Sequence, residues 1–132
     1  MLVDSSESTH NYIDFNRGII RKGAISAEEG EALVIPLNMR DGIILGVGKG
    51  NKDWNYSVPH GAGRKMTRSQ AKEKVTLSLF KKSMNGIYSS SVNKSTLDES
   101  PFAYKNPKKI IEQIGESVEI LDYIKPILNI KA

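Results

Sequence analysis

The chain has 132 residues, 39% hydrophobic and 26% charged, which is the size and composition of one ordinary globular domain. It contains no cysteine, so disulfides and thiolate metal sites within the chain are excluded. There is no long apolar run and no signal-peptide pattern, so we predict neither a membrane span nor secretion and expect a cytoplasmic location. The net charge of +4 suits an anionic partner such as a nucleic acid or a nucleotide.

Short β-branched runs bounded by glycine, proline or aspartate predict strands in the first part of the chain. These strands span residues 18–25, 32–35 and 42–47. Two helices are predicted to follow, at about residues 67–75 and 77–84. Thr67 and Gln70 have the spacing of a capping box, so the first of these helices should begin at Thr67.

A third helix has the clearest boundaries in the sequence. Asn106 suits the N-cap, Pro107 the first helical position and Gly115 the end of the helix. One face carries three isoleucines, which we assign to the core: Ile110, Ile111 and Ile114.

The last part of the chain and the order of elements together predict the fold class. Residues 118–130 look extended but are interrupted by Pro126, which is typical of an edge or terminal strand. Because strands and helices fall in separate runs, the predicted class is α+β, with short mixed or antiparallel strands and a few helices. We predict one domain over residues 1–132.

The most informative motif is residues 60–64, which read His-Gly-Ala-Gly-Arg. The small residues let backbone N–H groups approach a ligand closely, and the guanidinium groups of Arg64 and Arg68 match phosphate oxygens. A helix beginning at Thr67 would add the positive end of its dipole, so we predict a phosphate beside His60. A lone histidine in a glycine-rich loop is more often part of a turn, but the aromatic polar run at residues 53–59 favours a functional role.

A second candidate segment lies near the start of the chain, at residues 9–13. His10 offers a metal ligand and Asn11 an amide, although a histidine taken alone is more often a surface residue. A site only ten residues into the chain predicts that something upstream is missing.

Several short segments occur in the order found in the RtcB-type RNA-splicing ligases, and the chain resembles the C-terminal part of that family from about Thr9 to Ala132. The combination is far more specific than any one segment. The segments are residues 10–13, 21–24, 35–42, 60–64 with Met66, Arg68 and Ala71, 95–99, 103–105, and Lys131.

The resemblance implies GTP- and manganese-dependent joining of an RNA 3′-phosphate or 2′,3′-cyclic phosphate to a 5′-hydroxyl end. In that scheme His60 attacks the α-phosphate of GTP, becomes guanylylated, and passes GMP to the RNA 3′-phosphate. The 5′-hydroxyl then displaces GMP. The implied partners are GTP and RNA ends such as tRNA halves.

The resemblance also implies roles for individual residues, and Asn38 stands where many family members carry serine. Tyr104 and Lys131 would be ordinary surface residues without it. It assigns His10 to manganese, and Lys22, Arg64 and Arg68 to phosphates of GTP or RNA. It assigns to the guanylate Asn11, Pro36, Leu37, Asn38, Met39, Gly61, Ala62, Gly63, Tyr104 and Lys131.

The family's manganese centre also takes a cysteine, further histidines and an aspartate from its N-terminal part. This chain has no cysteine and only two histidines, so we predict a C-terminal fragment that lacks the metal-ligand half and is inactive alone. The alternative is a non-catalytic GTP- or RNA-binding module, or the remnant of a split gene. Four lysines are typical of a solvated helix surface, and contact with RNA is the less favoured interpretation of them. They are Lys72, Lys74, Lys81 and Lys82.

Overall fold

The computed structural model describes residues 8–130. Within that range six strands come first, three α-helices follow and a seventh strand comes last, and each strand is short. The strands are β1 Asn11–Asp14, β2 Ile19–Lys22, β3 Ala24–Ser26, β4 Ala32–Asn38, β5 Gly42–Gly48, β6 Ser57–Pro59 and β7 Val118–Ile124. The helices are α1 Arg68–Lys74, α2 Leu77–Ser83 and α3 Pro107–Ile114, with short 3-10 helices at Lys52–Trp54, Lys94–Glu99 and Pro101–Ala103.

The described strands form small antiparallel sheets, which confirms the α+β prediction. β1 pairs with β2, β3 pairs with β6, and β4, β5 and β7 form a three-stranded sheet with β5 in the middle. β7 is therefore an edge strand of its sheet, as predicted, and it ends at Ile124 before Pro126. The β1 and β6 strands were not predicted.

The predicted strand at residues 18–25 is divided in the structure. Gly23 has a φ of +66°, in the left-handed region that favours glycine, and the chain changes direction there. β2 before it pairs with β1, whereas β3 after it pairs with β6. The sequence did not reveal this break because isoleucines stand on both sides of the glycine, at positions 19, 20 and 25.

Helix boundaries follow the predicted capping signals. The Thr67 hydroxyl accepts a hydrogen bond from the Gln70 amide at 3.2 Å, and the Gln70 side chain accepts one from the Thr67 amide at 3.0 Å. At α3 the Asn106 side chain accepts a bond from the Lys108 amide at 2.9 Å. No helix within residues 8–130 is long and apolar enough to cross a membrane.

The core consists of two clusters of buried side chains. The larger one lies between the three-stranded sheet and α3, and the isoleucines at 110 and 114 are buried in it as predicted, with the one at 111 packed against its edge. It includes Ile25, Leu33, Ile35, Leu37, Ile44, Val58, Ala62 and Val118. The smaller one joins the end of β4 to α2 and contains Met39, Val75, Phe80 and Met84.

Candidate functional site

A cavity of about 870 Å³ lies where the end of β4 meets the loop that follows β6. This volume is within the range of small-molecule sites. The cavity brings together two segments to which the family resemblance assigns one ligand, residues 36–39 and 60–64, with Arg68 and Tyr104. Sequence reasoning assigned no role to several other lining residues, of which only Gly42 and Glu99 lie in the quoted segments: Gly42, Ile43, Glu99, Ile124, Pro126, Leu128 and Asn129.

His60 is positioned by the pairing of β6 with β3. The strand ends at Pro59, and the next residue lies beside the turn at Gly23, whose carbonyl oxygen accepts a bond from the His60 backbone amide at 3.3 Å. The same oxygen lies 2.6 Å from His60 Nδ1. A carbonyl oxygen only accepts hydrogen bonds, so we assign the ring proton to Nδ1 and the free lone pair to Nε2. The structure thus leaves His60 with a nucleophilic nitrogen.

Gly23 also ties the N-terminal candidate segment to His60. Its amide donates to the His10 carbonyl oxygen and to the Asn11 side-chain oxygen, both at 2.9 Å. The His10 ring stacks on the His60 ring, with 4.5 Å between centroids and 25° between planes. His10 therefore lies against His60, and Asn11 lies against the glycine that contacts the His60 ring.

The loop after His60 lies directly against the end of β4. The Ala62 amide donates to the Pro36 carbonyl oxygen at 3.1 Å. A Cβ at Gly61 would lie 3.1 Å from that same oxygen, so a larger side chain would push the loop away from β4. Gly63 has a φ of +69° and accepts a bond from the Lys105 amide at 3.0 Å, which brings the loop next to Tyr104.

The turn at the end of β4 is held by the side chain of Asn38. Its oxygen accepts bonds from the amides of Arg40 at 3.0 Å and Asp41 at 2.9 Å, and its nitrogen donates to the Asp41 carboxylate at 2.7 Å. Burial raises the pKa of the Asp41 carboxylate, but the bonds from the Arg40 guanidinium and the Asn38 side-chain nitrogen outweigh burial and lower that pKa. The amide of Asn38 thus stabilises its own turn.

Arg64 is held by groups of the protein rather than left free. Its guanidinium donates to the Asp98 carbonyl oxygen at 2.6 Å and pairs with Glu99 at 2.7 Å. The Tyr104 hydroxyl donates to the other Glu99 oxygen at 2.6 Å, and the guanidinium lies 5.0 Å from the centre of the Tyr104 ring. Burial, and then the bond to Glu99, raise the pKa of Tyr104 to about 12. Tyr104 is therefore a hydrogen-bond donor at any physiological pH.

The other predicted cations are more exposed. Arg68 lines the cavity, is 73% exposed and lies 4.0 Å from the Asp98 carboxylate, to which Lys72 also pairs at 3.7 Å. Lys22 is exposed on β2, lies outside this cavity, and forms no ion pair with the described residues. Lys131 lies outside the described residues.

The metal-ligand set is incomplete in the part of the chain that the structure describes. There, no three side chains among histidine, cysteine, aspartate and glutamate gather closely enough to hold a metal ion. Two stacked imidazoles do not by themselves fit a manganese centre.

Fold and site together define an α+β protein in which one histidine, with a free ring nitrogen, lies at the edge of a ligand-sized cavity. The sequence matches the model of the family described as tRNA-splicing ligase RtcB over residues 4–132, so the chain belongs to that family. The resemblance noted in the sequence is thereby confirmed.

Curated relatives agree with the family match. A tRNA-splicing ligase RtcB of Aeropyrum pernix is 40% identical over 96 residues, which cover 69% of this chain and 20% of the relative. An RNA-splicing ligase RtcB of Escherichia coli K12 is 27% identical over 128 residues, which cover 92% of this chain and 31% of the relative. The chain thus spans between a fifth and a third of the length of these relatives.

Proposed function

We propose that this chain supplies the guanylate-binding part of an RNA ligase that joins a 3′-phosphate or 2′,3′-cyclic phosphate to a 5′-hydroxyl end, using GTP and manganese. One observation supports it most strongly. The assigned nucleophile, Nε2 of His60, carries a free lone pair beside a cavity lined by the segments that the family resemblance assigns to the guanylate.

In the proposed reaction, Nε2 of His60 bonds to the α-phosphorus of GTP and pyrophosphate leaves. The ring becomes cationic as this bond forms, and the Gly23 carbonyl oxygen at Nδ1 stabilises that charge. An oxygen of the RNA 3′-phosphate then takes GMP from His60, and the 5′-hydroxyl displaces GMP to form the new phosphodiester. The imidazole is regenerated with its proton on Nδ1.

The other cavity residues bind and orient the nucleotide in this proposal. The amides of Gly61 and Gly63 approach it from the loop, whereas the Ala62 amide holds that loop against Pro36. Tyr104 contacts the nucleotide through its ring, since its hydroxyl proton is bound to Glu99. The ion pair with Glu99 holds the Arg64 guanidinium in one position, from which it stabilises the negative charge of a phosphate. The side chain of Arg68 is exposed and reaches the phosphates of GTP or RNA.

Manganese needs ligands that the described residues do not supply. We propose that His10 is one ligand and that the rest come from the N-terminal half of an RtcB-type ligase, as a separate polypeptide or as upstream sequence. Apolar side chains beside the cavity support such a partner, since Ile127 is 85% exposed and Leu128 is 52% exposed.

The first test is covalent labelling with α-labelled GTP and manganese. We expect no ligation by the chain alone, and labelling with ligation when it is mixed with the N-terminal two-thirds of a relative. His60→Ala should abolish the labelling, whereas Lys82→Ala, a change on the exposed surface of α2, should retain it. Labelling that persists in His60→Ala would overturn the assignment of the nucleophile.

A second candidate function is a non-catalytic GTP- or RNA-binding module. The incomplete ligand set among residues 8–130 favours it. This function predicts GTP binding that survives metal chelation, with no covalent adduct even after mixing with the N-terminal part. Isothermal titration with and without a chelator distinguishes the two functions.

A further inference from the structure

A second groove, of about 350 Å³, is lined by Gly23 and Pro59, the residues that contact and precede His60, and shares no lining residue with the guanylate cavity. We call it the Trp54 groove. Its walls are β2 with the turn after it, residues 19–24, and the segment Trp54, Asn55 and Ser57–Pro59 that leads into His60. Gly23 belongs to this wall and also accepts the bond from the His60 ring, so the groove lies one residue contact away from the proposed nucleophile.

Trp54 presents an uncovered aromatic surface in this groove. Its indole Nε1 donates to the Glu116 carboxylate at 2.9 Å, which fixes the edge of the ring, and 53% of the residue remains exposed. Among the described residues no ring or guanidinium stacks on it. By contrast, the ring of the nearby Tyr56 is covered by the Arg17 guanidinium at 3.8 Å from its centre. Trp54 is therefore the aromatic of this region that is free to stack on a ligand.

The backbone directly after Trp54 is strained. Asn55 and Tyr56 have φ values of +51° and +50°, and neither is glycine. The strain is held by bonds from the amides of both residues to the carbonyl oxygens of Lys52 and Asn51, at 3.0 and 2.9 Å. Such conformations persist where the surroundings over-determine them, and they cluster at binding sites.

The charge of the groove favours an anion. Lys22 lies in the wall, is exposed, and forms no ion pair with the described residues. The other cation in the wall, Arg21, is buried and already pairs with Asp14 at 2.8 Å. No acidic residue lines the groove, and the exposed Ile20 adds apolar surface across from the indole.

An exposed aromatic face, apolar surface and one free cation are the elements that bind single-stranded nucleic acid, since bases stack on the ring and the phosphate lies at the cation. We propose that the Trp54 groove holds one unpaired nucleotide of the RNA end on which His60 acts, with its base on Trp54 and its phosphate at Lys22. This inference rests on the proposed function, because it takes RNA as the substrate.

Trp54 is the only tryptophan in the chain, so its fluorescence reports this contact directly. The full chain is titrated with a short single-stranded RNA that carries a 3′-phosphate, and with the same RNA in a blunt duplex. We expect the single strand to quench the fluorescence and the duplex not to, since paired bases are already stacked. A fluorescent label on the RNA gives the affinity independently by anisotropy.

Substitutions at Trp54 and Lys22 distinguish the contribution of base stacking to the RNA affinity from the contribution of charge. Trp54→Leu should weaken single-strand binding about tenfold, and Trp54→Tyr should restore most of it because the ring is retained. Lys22→Gln should weaken binding a few-fold and lower the salt dependence by about one released ion. Tyr88→Leu, which removes an aromatic that is 72% exposed outside the groove, and Lys82→Gln are the matched controls and should leave the affinity unchanged. Thermal melts by circular dichroism verify that each variant is folded.

Three results would overturn the inference. One is RNA binding with no quenching and no effect of Trp54→Leu; another is no binding of single-stranded RNA by the unaltered chain. In the third, the Trp54→Leu variant keeps its RNA affinity but no longer assembles with the N-terminal part of a relative. That result would mean that the groove is a protein interface. The proposed function is tested separately, by measuring guanylylation of His60.

Discussion

At the scale of single residues, Gly23 has the largest influence on the site. Its amide binds the His10 carbonyl and the Asn11 side chain, and its carbonyl fixes the His60 ring. Its φ of +66° sets the two peptide groups that meet at its Cα so that the amide and the carbonyl both reach the site. A residue without side-chain chemistry therefore sets which ring nitrogen of His60 can react.

Replacing Gly23 tests this role. Gly23→Ala should cost about 1–2 kcal/mol of stability because of the left-handed backbone, and its Cβ would contact His60 Nδ1 at 3.4 Å. We expect labelling of His60 by GTP, assayed with the N-terminal part of a relative, to fall more than the loss of folded protein explains.

Gly18→Ala is the matched control, because Gly18 has a φ of +65° with nothing within 4 Å of an added Cβ. It should lose similar stability in urea unfolding and keep the labelling. Equal labelling in both variants would contradict the role of Gly23.

Tyr104 provides a pH-dependent test at the same scale. Its pKa is raised from 10.0 to about 12 by burial and by Glu99, so the neutral hydroxyl is the form that the fold stabilises. This contribution is fully present below pH 10 and is lost as the pH rises through about 12. In an absorbance titration of tyrosinate, Tyr104→Phe should remove the step that ionises last.

Tyr88→Phe is the control for this titration, since that ring is 72% exposed and lies outside the cavity lining. It should leave the last step in place. Circular dichroism on the same samples shows whether the chain is still folded at each pH. A last step that survives in Tyr104→Phe would show that Glu99 does not hold this hydroxyl.

At the scale of elements, the smaller core cluster supports the floor of the cavity. Met39 at the end of β4 is buried there against Phe80 of α2 and also lines the cavity. Phe80 is fully buried, so its contacts fix α2 against this turn.

Phe80→Ala should therefore destabilise the chain by about 3–5 kcal/mol, as expected for a large aromatic removed from a packed core. Its neighbour Leu79 is 49% exposed, and Leu79→Ala should cost about 1 kcal/mol or less. Urea unfolding followed by circular dichroism measures both. Similar losses in the two variants would mean that the smaller cluster is not tightly packed.

At the scale of the whole molecule, the cavity lies between the two core clusters. Leu37 and Ala62 belong to the larger cluster and Met39 to the smaller one, and all three line it. The site therefore requires both halves of the core to be folded. The apolar residues after β7 add an exposed face next to it.

The sequence by itself determined the features that depend on neighbouring residues. The capping box at Thr67, the start of α3 at Asn106 and the edge strand before Pro126 were all predicted, because caps and proline act within a few residues. The family was also identified from short motifs that occur in a fixed order, and the match to the family model confirms it.

Only the tertiary structure decided how these motifs meet. The bond between His60 and Gly23 spans 37 positions in the chain, and the pair between Arg64 and Glu99 spans 35. Such contacts depend on sheet register and on the break at Gly23, which no local pattern encodes. The sequence thus named most of the candidate site residues, whereas the fold decided which are held by the protein and which ring nitrogen is free.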